Sequence, residues 1–145
     1  MMYYNYIFVV FLLRVFLGIL FFSQGYDKVF RVGVKRVIDT FDNPLENRKL
    51  PKWLIIFAGI YTSYVELIGG LLLALGFLTN FTLYFLGIDL LMVCIAFSLM
   101  KPMWDMQFVF PRLLLLVILL IVPIEWNVFS IDHFFNINES ILVTK

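Results

Sequence analysis

The sequence is poor in the residue types on which most protein chemistry rests. It holds one cysteine, Cys94, and one histidine, His133. A lone cysteine excludes an internal disulfide, and neither C-x-x-C nor zinc-type spacing exists. A single histidine argues against haem or a multi-histidine metal site. No glycine-rich nucleotide loop is present. Charged residues make up only 14% of the chain and the net charge is +1, so there is no basic excess of the kind that binds nucleic acid.

What the sequence has in abundance is apolar residues. They form 63% of its 145 residues, and the mean hydropathy is +0.98. A soluble domain is about half apolar and a quarter charged. A chain this short cannot hide so much apolar surface in its own core. The apolar residues also come in long blocks, which marks an all-α integral membrane protein. The first block, "MMYYNYIFVVFLLRVFLGILFFSQG", lacks a basic leading segment and an A-x-A site and has Arg14 inside its apolar run. It reads as a first transmembrane helix and not as a signal peptide.

Four blocks approach the length needed to cross roughly 30 Å of hydrocarbon at about 1.5 Å per residue. They lie at about 4–25, 53–78, 81–100 and 111–126, the last being the shortest. Pro111 suits the first turn of its helix. The short "LTNFT" makes the second and third blocks an antiparallel hairpin. The expected architecture is a single domain over residues 1–145: a four-helix transmembrane bundle with an amphipathic interfacial helix between helices one and two. That segment, at about 28–41, puts Phe30, Val34, Val37, Ile38 and Phe41 on one face, and "DNP" is expected to end it. The alternative for it is a plain solvated loop. Eight basic residues (Lys28, Arg31, Lys35, Arg36, Arg48, Lys49, Lys52 and Lys101) fall in the first and third connections, against Lys145 alone on the other side. The expected topology is therefore multi-pass in a bacterial-type inner membrane, with loop 28–52 cytoplasmic and both termini outside.

Four charges interrupt the apolar blocks: Arg14, Glu66, Asp89 and Arg112. At about 2.5–3.5 kcal/mol each at mid-bilayer, four unpaired charges would cost on the order of 10 kcal/mol. Pairing relieves that cost. Helix two gathers Gly59, Thr62, Ser63, Glu66, Gly69, Gly70 and Gly76 mostly on one side, including the small-xxx-small pairs Gly59/Ser63 and Gly70/Ala74. Glu66 thus points into the bundle. Arg14 shares a face of helix one with Gly18, Phe21, Gly25 and Lys28. Equal depth makes Arg14 the expected partner of Glu66, with Asp89 sharing the guanidinium. This polar layer either fixes helix packing alone or serves a ligand or proton. Candidate pocket lining is Phe21, Gly25, Lys28, Tyr61, Tyr64, Gly69 and Gly70.

At these residues the chain resembles the DoxX family. "LLRVFLGILFFSQGYDKVF" is similar to the first-helix signature, an Arg followed by an apolar run and Gly-x-x-Lys. "ELIGGLLLALGFLT" is similar to the Glu-x-x-Gly-Gly…Gly signature of the second helix, and "FSIDHF" to a Ser-Leu-Asp segment near the end. Arg14, Gly25, Lys28, Glu66, Gly69, Gly70, Gly76 and Asp132 occupy the matching positions, while Gln24 stands where many relatives carry a His. The resemblance implies a four-helix membrane protein. Some relatives are subunits of quinone-linked sulfur oxidation, others join oxidative-stress membrane complexes, and distant eukaryotic ones act as cargo receptors.

Three readings follow. In the first the chain is a membrane subunit or accessory of a quinone-linked redox system, at most a quinone-interacting oxidoreductase subunit. Arg14, Glu66 and Asp89 would then address the quinone head group, beside Phe21, Phe22, Tyr61 and Tyr64. No redox centre is encoded, so electrons must come from a redox partner protein. In the second the chain is a non-catalytic membrane scaffold whose buried charges only fix helix packing. In the third it is a small transporter, for which four short helices leave little room unless a homo-oligomer supplies the volume. Besides quinone no cofactor is expected; the bilayer is the certain partner, and nucleic acid and metal are not expected.

Overall fold

A computed structural model describes residues 2–46, 51–100 and 109–135. Those residues are helical, with no strand among them. Helix α1 spans Met2–Tyr26 and runs on into a π-helical turn, Asp27–Val32. Gly33, at φ 86°, breaks the path, and α2 follows as Val34–Glu46. Then come α3 (Lys52–Leu75), α4 (Thr79–Met100) and α5 (Phe110–Ile121). A short 3-10 turn, Ile124–Trp126, and the four-residue α6, Ile131–Phe134, complete the described chain.

Three stretches, Tyr4–Val32, Lys52–Leu75 and Thr79–Leu99, are long and apolar enough to cross a membrane. The exposure pattern is that of a protein solvated by lipid. Phe8, Phe16, Ile19, Phe57, Ile68, Phe85 and Leu91 all point outward, while Arg14, Glu66, Asp89 and Asp132 are buried. The chain is a multi-pass membrane protein. Its core is built from Leu17, Phe21, Leu73, Leu83, Leu86, Leu90 and Leu116.

Small residues set the register of α1 against α3. A Cβ on Gly18 would meet the backbone of Ala74, one on Gly70 the backbone of Phe22, and one on Gly25 the backbone of Leu67. These are close helix–helix approaches of the kind glycine permits in membranes. Gly59 and Ser63 serve differently. Gly59 receives Ile38 of α2, and the Ser63 hydroxyl donates back to the Gly59 carbonyl at 2.7 Å.

The boundaries differ from the sequence expectation in three places. Helix α3 stops at Leu75, not at 78, because Gly76 adopts a left-handed conformation (φ 72°). The N–H groups of Gly76 and Phe77 return to Leu73 and Leu72 at 3.1 and 2.9 Å, closing a Schellman-type cap. Helix α5 stops at Ile121, not at 126: Pro123 cannot continue it, and Val122 before it is extended at ψ 134°. The amphipathic segment begins at Val34, after the Gly33 break, and runs through "DNP" to Glu46. The connection at 101–108 lies outside the described residues, as do Arg48, Lys49, Lys101 and Lys145.

Candidate functional site: two buried charge layers

The α1–α3 register decides which buried charges meet. With Gly25 against Leu67, the residue that reaches Glu66 is Lys28, one turn further along. Its Nζ lies 2.6 Å from Glu66 Oε2 and donates to Thr62 Oγ1 at 3.0 Å. Thr62 Oγ1 in turn stands 3.5 Å from Glu66 Oε1. Asp89, on α4, faces this group, with Glu66, Lys28 and Thr62 as its electrostatic neighbours. It is completely buried, and neither of its carboxylate oxygens makes a hydrogen bond of normal geometry among the described residues. Arg112, near the start of α5, is within electrostatic reach of both Glu66 and Asp89. This inner layer holds two cations and two anions, as far as its described residues go.

The expected Arg14–Glu66 pair does not form. Arg14 lies against Gly76, at the far end of α3, ten residues and about 15 Å along the axis from Glu66. The expectation aligned the middles of the two helices, whereas the glycine contacts slide α1 toward the C-terminal end of α3. Asp89 accordingly does not share the Arg14 guanidinium. Arg14 instead donates from Nη1 to Asn127 Oδ1 at 2.7 Å and from Nη2 to the Phe129 carbonyl. Its nearest anion in electrostatic terms is Asp132.

Asp132 fastens this outer layer. Its carboxylate accepts the backbone N–H of Leu78 at 2.6 Å and of Thr79 at 2.7 Å, and its own N–H donates to the Gly76 carbonyl at 2.9 Å. One side chain thus caps the N-terminus of α4, where a carboxylate also suits the helix dipole. Asn127 Nδ2 reaches Thr79 Oγ1 at 3.3 Å, and Ser130 Oγ donates to the Asn127 carbonyl at 2.6 Å. Outside this layer Trp126 stacks on Tyr6 with ring centroids 4.7 Å apart. Asn127 and Thr79 escaped the sequence reading, although the Ser-x-Asp segment pointed at their neighbourhood.

The candidate pocket residues divide. Phe21 is fully buried in the core, and Gly25 and Gly70 are closed against backbone of the facing helix. Between Arg14 and Glu66 the space is therefore filled by helix contact. Tyr61 donates from its hydroxyl to the Phe85 carbonyl at 3.2 Å. Tyr64 and Gly69 line an apolar groove of about 260 Å³ between α3 and α4, with Ile68, Leu72, Thr82 and Phe85. Among the described residues no group of His, Cys, Asp and Glu is placed to hold a metal ion.

A family model described as DoxX matches residues 9–99. No curated protein and no solved structure matches the chain.

Proposed function

The chain belongs to the DoxX family, and from that premise we propose that it is a four-span membrane subunit working beside a quinone-linked redox partner, to which it supplies binding and packing but not electrons. Helices α1, α3 and α4 are three of the spans. The twelve residues of α5 cover only about 18 Å, and the turns up to Phe135 carry the fourth crossing to the outer side. Helix α2 lies in the interface plane, with Val37 buried and Lys35, Arg36 and Asp39 exposed. The basic connection faces the cytoplasm.

The observation that carries the redox part of this reading is the groove between α3 and α4. It opens on the lipid-facing side, where Ile68 and Phe85 are exposed, and it is apolar with aromatic walls at Tyr64 and Phe85. A quinone approaches from the hydrocarbon, so a lipid-facing slot suits it better than the closed charge layers. The test is solvent extraction of the protein purified from native membrane, with quinone measured by mass spectrometry against total lipid. Enrichment in the wild type and its loss in Ile68→Trp, a bulky replacement at an exposed wall of the groove, are expected. No enrichment in folded wild-type protein overturns the reading.

A second reading has its own observation. The tight α1–α3 contact between the charge layers leaves no room for a ligand there, which favours a scaffold whose buried charges only lock the helices. Under it Ile68→Trp leaves partner assembly intact.

A further inference from the structure

Arg14 is 1% exposed, yet its hydrogen-bonding capacity is not met among the described residues. A guanidinium carries five N–H donors. Among the described residues two bonds are made, one from each Nη. Nε is buried with no partner among the described residues. Among the described residues no carboxylate lies within ion-pair distance of Arg14; the oxygens of Asp132 accept from the Leu78 and Thr79 N–H groups. A buried cation with idle donors is costly unless something accepts from them.

Beside it lies a cavity of about 20 Å³, lined by Arg14, Thr79, Asn80 and Asn127 on its polar side and by Val10 and Leu119 among its apolar residues. Holding one water takes roughly 10–15 Å³, and wholly apolar voids of this kind stay dry. This one is large enough for a single small particle, too small for a phosphate or a carboxylate ligand, and Arg14 itself is part of its polar lining. We propose that the cavity is a binding site for one compact hydrogen-bond acceptor, a water molecule or a halide ion, held by Arg14 with Asn80, Asn127 and Thr79 around it. The occupant completes the shell of the buried guanidinium and joins α1 to the turn at the start of α4. The proposal does not depend on the quinone reading.

The experiment uses the full wild-type chain, crystallised from lipid with bromide in place of chloride, together with thermal unfolding in chloride against gluconate at equal ionic strength. A bromide anomalous peak within hydrogen-bond reach of Arg14 Nε, with an upward Tm shift in chloride, supports the site with a halide in it. Ordered water at that position, with Tm indifferent to the anion, supports the site with water in it. Protein atoms closing on Nε, or a resolved cavity with no density beside Nε, overturn the proposal.

Discussion

A carboxylate at the middle of an apolar helix costs about 2.5–3.5 kcal/mol to insert, and at Glu66 the Lys28 ammonium offsets that cost from 2.6 Å away. Removing one member of a buried pair strands the other. Glu66→Gln is therefore expected to lower stability by on the order of 3 kcal/mol, or somewhat less, because the Lys28 side chain is 25% exposed and water screens it. A double-mutant cycle, read by unfolding titration in mixed micelles, locates the partnership. Lys28→Met with Glu66→Gln should show coupling of roughly 0.5–3 kcal/mol, whereas Arg14→Met with Glu66→Gln should add within about 0.5 kcal/mol. That Glu66 is buried and needs a cation was legible in the sequence, since hydropathy and helical phase carry it. Which cation answers was not, because Arg14 and Lys28 fall on one face at helical spacing and only the axial offset from α3 chooses between them.

At the scale of elements the glycines are unequal, and their differences follow from what stands opposite. Alanine at Gly25 or Gly70 would run into facing backbone, which cannot rotate away, so α1 and α3 must separate. Alanine at Gly69 would sit 3.2 Å from Leu86 Cδ2, so a side chain and not backbone would have to shift, by a few tenths of an ångström. Gly33 has nothing within 4 Å but holds φ at 86° and ψ at 133°, so alanine there costs backbone strain only, about 1–3 kcal/mol. The expected order of damage in a thermal-unfolding series is Gly25→Ala and Gly70→Ala well above Gly33→Ala, with Gly69→Ala mild. Helix identities and the antiparallel hairpin were legible from block lengths and the short "LTNFT". The ends were legible less well: Gly76 and Pro123 carry standard stop signals, but the apolar run continues past both and masks them.

For the whole molecule, the topology reading makes a direct prediction. In a Cys94→Ser background, Lys35→Cys and Asn80→Cys should react with an impermeant thiol reagent from opposite sides of the membrane, Lys35→Cys from the cytoplasm. Reaction of both from the same side would overturn the assignment. The outer end gives a second. Asp132→Ala removes both acceptors at the start of α4 and the anion that acts on Arg14, at an expected cost of about 1–3 kcal/mol. Protease sensitivity near Thr79 should rise with it. The outer closure was half legible: its motif was visible, but its target lies 53 residues earlier in the chain, beyond any local pattern. That separation also bears on how the protein is made. Helices α3 and α4 leave the ribosome well before Asp132 does, so the hairpin enters the membrane with the N–H groups of Leu78 and Thr79 unanswered. Only the late arrival of Asp132 completes it, which makes this contact a marker by which a finished chain differs from one released early.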